Sequence, residues 1–392
     1  MFDGISNIFF PDISKSKKQF IALLNLHPTP FYVIDPSIIQ DRIDTLKNFF
    51  KKNCCPFQLA YSCKTNYSPL LLPLFRQHHI FAETVSMSEY RLADRSKFSD
   101  SQIVVNGPYK QSLPFLLSKP VLIHLDNLTE INQVMAYSQK HTPKANLGIR
   151  VNTLVHPSHF GFNLENSQAR FAINSLLKNR IPISSLHLHL GSNLYDLNSY
   201  TKSTSIIINF TKEIYSNFGI KLKYLDLGGG FPSRGLLPHH LHTQLKPIES
   251  YLKPIFSELQ KLPYTPTLIL EPGRYLVDDA TIFISKVIHS NLKYRQQQII
   301  IDSTINQLPL TWTRPNIVAA FSPNLTQLKQ TITPTIIYGA SCQEIDILFQ
   351  GKLPKVSPND LIIFYCCGAY NQNMAPDFIF PKPKTYFFNY LS

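Results

Sequence analysis

The sequence predicts an α/β protein, a parallel (β/α)8 TIM-like barrel followed by a β-rich domain. Short apolar runs alternate with longer amphipathic stretches between about residues 30 and 290, the pattern of strands crossed over by helices. The residues with chemical potential stand just after those runs, where barrel enzymes place their sites. From about Lys286 the helical period gives way to β-rich segments separated by prolines, which marks a second domain.

Phe57–Cys63, Ile80–Val85, Gln102–Val105, Val121–Leu125, Leu147–Val151, Ser185–Leu190, Tyr224–Leu227 and Leu268–Glu271 read as barrel strands. Asp41–Lys51, Ser88–Arg95, Leu128–Ser138 and Ser203–Phe218 carry helical spacing. An open doubly wound sheet competes, but no GxGxxG follows a first strand. Gln298–Ile301, Thr333–Tyr338 and Asp360–Cys366 belong to the β-rich part, with which the short run Phe31–Ile34 is expected to pair. Residues 35–285 are assigned to the barrel, and residues 1–34 and 286–392 to the β-rich domain.

With 392 residues, 44% hydrophobic and 16% charged, the chain is long enough for one large core and a smaller one. Its +13 net charge is spread out, without a zinc-finger, RNA-recognition or homeodomain signature. No nucleic-acid role is expected, and the charge is read as that of a basic proteome or as attraction to small anions. Six cysteines at positions 54, 55, 63, 342, 366 and 367 fit no CxxC spacing. There is no signal-like opening and no run of eighteen apolar residues, so a cytoplasmic protein with free thiols and no membrane span is expected.

Four segments carry chemistry. Leu59-Ala60-Tyr61-Ser62-Cys63-Lys64 ends an apolar strand in a single cation; burial there would favour a neutral amine able to form a Schiff base. A solvated surface lysine is the plainer reading. Leu225-Asp226-Leu227-Gly228-Gly229-Gly230 is either a flexible turn or a phosphate cradle, in a chain with only 14 glycines. Leu186-His187-Leu188-His189-Leu190-Gly191-Ser192 puts both histidines on one face of a strand. No neighbouring carboxylate or cysteine completes a metal set, so no metal is expected. His189 is the candidate to stack on an aromatic ligand, and His187 reads as a satisfied core histidine. In Leu270-Glu271-Pro272-Gly273-Arg274, Glu271 either pairs with Arg274 or serves a protonated ring nitrogen while Arg274 lies near phosphate.

Together these segments resemble the fold-type III pyridoxal-phosphate-dependent decarboxylases, the ornithine/diaminopimelate/arginine decarboxylase family. From about Pro30 to Phe388 the motifs come in family order: Lys64, Ser86 with Glu89, the HxHxGS strand, the GGGF turn, EPGR, Cys342-x-x-x-Asp346 and Gly368-Ala369-Tyr370. The resemblance implies an alanine-racemase-like barrel, a cytoplasmic homodimer with shared active sites, and pyridoxal 5'-phosphate as cofactor. Lys64 would hold the cofactor, His189 would stack on it, and Glu271 would keep its ring nitrogen protonated. Glu83 stands where the family has aspartate, and Arg150 would lie near the phenolic side. Ser192, Gly229, Gly230, Arg274 and Tyr370 would contact phosphate. Cys342 would reach the partner's site and return a proton to the α-carbon. A glutamate at 271, where racemases place arginine, implies decarboxylation rather than racemisation.

Substrate residues depart from the pattern. Gln343 replaces the acid that usually follows the cysteine, and Leu310 stands near the expected arginine, with Arg314 as a possible substitute. His159 replaces a lysine that would pair with Asp346 across the dimer; Gln343, Asp346 and Arg314 are the substrate-binding candidates. The departures imply a diamino acid with a modified or neutral distal group, in a specialised pathway such as siderophore or polyamine synthesis. An atypical diaminopimelate or ornithine decarboxylase is the alternative. An inactive homologue acting by protein binding is the reading from another class; it conflicts with the retained Lys64, glycine turn, Glu271 and Cys342.

Overall fold

A computed structural model describes residues 13, 16–155, 157–236 and 245–388. The extreme ends of the expected β-rich domain therefore lie outside the described residues. The chain divides into two compact units. One contains residues 44–232 and 245–273. The other contains the described residues up to Ile43, those from Ser233 to Leu236, and those from Arg274 onward.

In the first unit eight parallel strands close into a barrel: β1 (Phe57–Ser62), β2 (Phe81–Thr84), β3 (Ile103–Val105), β4 (Leu122–Leu125), β5 (Asn146–Asn152), β6 (Ser185–His187), β7 (Tyr224–Asp226) and β8 (Thr267–Leu270). Their order is β4-β3-β2-β1-β8-β7-β6-β5, and β5 pairs back onto β4 to complete the ring. Apolar runs suit these strands because a barrel strand is covered on both faces. Ala60, Val104, Leu122 and Ile269 pack as one buried cluster inside this unit.

Strand-to-helix turns are fixed by short polar motifs. After β2, the Ser86 hydroxyl accepts the Glu89 N–H (3.2 Å), and the Glu89 carboxylate accepts the Val85 N–H (2.7 Å). After β4, Asn127 and Glu130 repeat the device, with Asn127 accepting the Glu130 N–H (3.0 Å) and Glu130 accepting that of Asp126 (2.8 Å). Each caps a helix and pins the loop at the strand's C-terminal end. Asp196 starts the helix Leu197–Phe218 in the same way, six residues before the expected start.

The second unit is an eight-stranded sheet, mostly antiparallel, built on the 13-residue strand Thr281–Lys293. Phe31–Ile34 pairs with Thr281–Ile284 and with Lys384–Phe387, as its apolar run implied. The boundary expected after residue 285 falls inside Thr281–Lys293. Its first five residues are all buried, so the run reads equally as a last barrel strand. All six cysteines are unpaired. No helix among the described residues is long and apolar enough to cross a membrane.

Candidate active site at the C-terminal ends of the barrel strands

The barrel's C-terminal ends surround a cavity of about 440 Å3 whose lining includes Lys64, Glu83, Arg150, His189, Ser192 and Glu271. Six of the expected site residues thus meet in one place. Lys64 sits in the one-turn helix Cys63–Thr65 directly after β1. Its ammonium donates to Glu83 on β2 at 2.7 Å, and its side chain keeps 35% exposure. The lysine is therefore paired and half-solvated rather than deeply desolvated. Burial acts to raise the Glu83 carboxyl, but Lys64 and hydrogen bonds from Lys64, Ser62 and Asn106 outweigh it and hold it below the ordinary glutamate value.

Glu271 follows β8 and is 2% exposed. Its Oε1 accepts Asn106 Nδ2 at 2.7 Å, and the same amide group donates to Glu83 at 3.1 Å. Burial, followed by the charges of Asp226 and Glu83, pushes the Glu271 carboxyl well above its usual range. Burial likewise drives the His189 imidazole down to about 3, with Lys64 and Arg150 adding to the shift. Arg150 lies 3.6 Å from Asp126 and 4.8 Å over the Phe160 ring.

The glycine turn is a place where a side chain cannot go. A Cβ on Gly229 would collide with the Glu271 carbonyl, and one on Gly230 (φ +85°) with the Gly191 carbonyl. A Cβ on Gly228 would come within 2.7 Å of His189 Nδ1. The turn thus brings its backbone against the loops that carry Glu271, His189 and Ser192. This donor set fits pyridoxal phosphate: an amine for the aldehyde, a buried carboxyl for the ring nitrogen, an imidazole for the ring face, and serine with glycine backbone for phosphate.

Other expected residues belong to the second unit. Arg274 lies 5.0 Å over the Tyr370 ring and 3.4 Å from Asp278, which replaces the contemplated pairing with Glu271. Cys342 and Gln343 line a recess of about 300 Å3, where Gln343 accepts Asn306 Nδ2 at 3.3 Å. Two substrate candidates take part in networks within this unit. Arg314 is buried and donates to the Cys366 carbonyl beside Asp278, so it braces its own unit. Asp346 is buried and accepts the Ile305 N–H (2.6 Å), the Ser341 N–H (3.0 Å) and the Ser341 hydroxyl (2.5 Å). That carboxylate organises its own loop and lines the same recess as Cys342 and Gln343.

His187 is also corrected. It is buried, yet neither ring nitrogen has a hydrogen-bond partner, and Nε2 lies 3.7 Å from Glu271. The third metal-type ligand missing from the sequence neighbourhood is supplied by the fold: ligand atoms of His187, His189 and Glu271 lie within 4.8 Å of one another. Sequence reasoning missed Asn106, His124 and Asp126, single polar residues at strand ends with no motif, and passed over Asp226 inside the glycine-turn segment. It also missed Glu344, an exposed acid in the Cys342 recess.

Residues 38–278 match the family model described as pyridoxal-dependent decarboxylase, pyridoxal binding domain. A diaminopimelate decarboxylase of Bacillus methanolicus is 26% identical over 94% of this chain and 89% of that protein. Among solved structures, the diaminopimelate decarboxylase of M. jannaschii superposes with a TM-score of 0.83 at 24% identity, over 94% of this chain and 88% of that one. The lysine/ornithine decarboxylase of Vibrio vulnificus gives 0.82 at 22% identity, over 96% and 99%. These likenesses bear out the barrel and the β-rich domain.

Proposed function

The chain belongs to the pyridoxal-dependent decarboxylases, and from that premise we propose that it releases CO2 from the α-carbon of a diamino acid. The observation that carries this reading is the convergence of Lys64, His189, Ser192 and Glu271 on one cavity. The name of the Bacillus methanolicus relative supports the substrate class.

Bound pyridoxal phosphate supplies an electron sink for the pair left by departing CO2. The chain's residues do the rest. Lys64 Nζ would hold the cofactor by its aldehyde. Glu271 would keep a proton on the ring nitrogen, His189 would cover the ring face, and Ser192 with the glycine turn would take the phosphate. Arg150, fixed by Asp126 and Phe160, bounds the cavity on a further side. Cys342 Sγ returns a proton to the α-carbon, in the active site of a partner subunit within a homodimer.

The finer reading, a modified or neutral distal group and a specialised pathway, rests on Gln343 and Leu310. An amide beside Cys342 gives up the ion pair that would hold a distal ammonium. Glu344 in the same recess supports the alternative, an ordinary diamino acid held by a displaced acid.

Purified protein mixed with pyridoxal phosphate should turn yellow, and borohydride should fix the label on Lys64. CO2 release should then be screened over ornithine, lysine, arginine, meso-diaminopimelate, diaminobutyrate and acylated diamino acids. A colourless protein, or a label elsewhere, sinks the assignment. Preference for the acylated compounds supports the finer reading, and preference for the free diamino acids rejects it.

A further inference from the structure

Beneath Lys64 a file of buried polar groups crosses the barrel interior from β6 toward β2. Asn106, directly after β3, donates to Glu83 Oε1 at 3.1 Å and to Glu271 Oε1 at 2.7 Å. Both amide hydrogens are then committed, so its Oδ1 must accept, and His124 Nδ1 on β4 stands 2.8 Å from it. Nδ1 therefore carries a proton. Nε2 of the same ring lies 2.8 Å from the Ser185 hydroxyl on β6; the Leu186 carbonyl is a longer alternative for that hydroxyl, at 3.4 Å. Asp226 Oδ2, at 3.9 Å from Nδ1, is too far to take its hydrogen.

The sequence makes room for this file at one glycine. β5 separates His124 from Ser185, and Gly148 is the β5 residue in register with both. A Cβ there would fall 2.8 Å from His124 Cδ2 and 2.7 Å from Ser185 Cβ, closer than such atoms can come. Without it the imidazole reaches across β5. Asn106, His124 and Ser185 are all buried. Burial, with Lys110 and Arg150 adding to it, keeps the His124 ring neutral. A neutral ring protonated on Nδ1 has an acceptor at Nε2, so the Ser185 hydroxyl supplies that hydrogen. Every hydrogen in the file thus points toward Glu83 and Glu271.

We propose that His124 is a positioning residue whose Nδ1–H fixes the Asn106 amide, so that Asn106 holds Glu83 and Glu271 together by donating to both. A flipped amide would turn its oxygen on the two carboxyl groups and set its N–H against that of His124, so one orientation is allowed. Glu271 Oε1 accepts whether or not its other oxygen carries a proton. The file donates without adding positive charge, which leaves Lys64 as the cation for Glu83 and the pyridine nitrogen as the one for Glu271. His124 acts only through Asn106. The inference rests on the cofactor reading given under Proposed function.

The test uses the full-length protein, with nuclear magnetic resonance of 15N-labelled histidine rings and pyridoxal phosphate titrations of wild type, H124N and H124L. Ring signals missing from H124N identify His124. In wild type, ligand-free and loaded, they should show a neutral ring with its hydrogen on Nδ1. An asparagine at 124 puts an N–H where Nδ1–H stood, so H124N should bind pyridoxal phosphate within about threefold of wild type. H124L leaves the Asn106 oxygen without a donor and frees the amide to turn, so it should bind about tenfold or more weakly. Leucine fills the space of the ring better than asparagine does, so a packing role predicts the opposite order. A His124 ring protonated on Nε2, or on both nitrogens, overturns the proposal. So does H124L binding as wild type does, or H124N binding as weakly as H124L. Where H124L fails to fold, H124N and the wild-type spectrum decide. Where wild type binds no cofactor, the functional reading fails by itself, and the ring signals of the ligand-free chain still judge the His124 hydrogen bond.

Discussion

Lys64 Nζ lies 2.7 Å from Glu83 Oε2, an ion pair between the ends of neighbouring barrel strands, with the carboxylate fully buried and the lysine partly solvated. Glu83 sits below its ordinary value, so its contribution to stability is present above the unfolded glutamate pKa of about 4.3. It is lost as pH falls through the lower folded value. E83Q should be less stable than wild type by about 1–2 kcal/mol at pH 7, discounted for the exposure of Lys64. Urea unfolding at pH 7 and at low pH checks this: the gap should narrow in acid. A gap that widens would mean that Glu83 is not the charged partner.

The glycine turn makes a steric prediction. Gly230 has φ +85° and faces the Gly191 carbonyl, so G230A combines positive-φ strain with a backbone clash. A cost of about 2–4 kcal/mol is expected from the two together, with looser pyridoxal phosphate binding. G219A serves as control. Gly219 also has positive φ but nothing within 4 Å of an added Cβ, so it should lose only about 1 kcal/mol. Equal losses in the two variants would show that conformation alone is at stake.

Much of this architecture was legible from periodicity. Leu128–Ser138 is the helix that its spacing implied, and Tyr224–Asp226 and Thr267–Leu270 fall within a residue of their apolar runs. Such segments are legible because burial on a fixed face imposes a pattern. Lys64, His189, Glu271 and the glycine turn were legible because each breaks such a pattern at its end. Asn106, His124 and Asp226 were not, since a single polar residue in an apolar run has no period and only the closed barrel brings the three together. Asp346 and Arg314 show the converse: a charged residue in a motif looks the same whether it serves a ligand or its own loop.

Cys342 is exposed in its recess, where its thiol can meet a ligand. C342A should retain cofactor colour and thermal stability, because no packing is lost, while turnover falls about 10²-fold or more, the usual worth of a placed acid. Colour and CO2 release measured on one preparation separate the two effects. Full activity in C342A would remove this residue from the mechanism.

Three barrel histidines, two of them buried, set the acid limb of the ligand-free protein's stability. Burial pushes His124 down to about 3, assisted by Lys110 and Arg150; His189 also falls to about 3, and His187 falls well below its ordinary value. For each, the unfolded chain binds a proton near pH 6.5 that the folded chain refuses. Their contribution is therefore complete above about pH 6.5 and lost as pH drops toward 3. H124Q should flatten stability against pH in that window by up to about 1.4 kcal/mol per pH unit, one proton's worth. Chemical denaturation at several pH values reads the slope, and an unchanged slope would mean that His124 is protonated in the fold.

Lys110 and Glu130 form an enclosed ion pair of the barrel unit, 2.9 Å apart with side chains 1% and 6% exposed. Lys110 also donates to the Gly107 carbonyl at 2.7 Å, and Glu130 accepts the Asp126 N–H, so the pair ties the loop after β3 to the helix after β4. Burial lowers the lysine and raises the glutamate, each opposed by the other's charge. Removing one partner leaves a buried charge unanswered, so K110M should cost about 3–5 kcal/mol. Removing both replaces a desolvated pair with apolar contact, so K110M/E130L should recover at least half of that loss. Asp126 also holds Arg150 at the cavity, so the single variant should loosen cofactor binding as well. Denaturation midpoints of the two single variants and the double variant close the cycle. A double variant as unstable as the sum of the singles would show that the two groups act separately, through Gly107 and Asp126 rather than through each other.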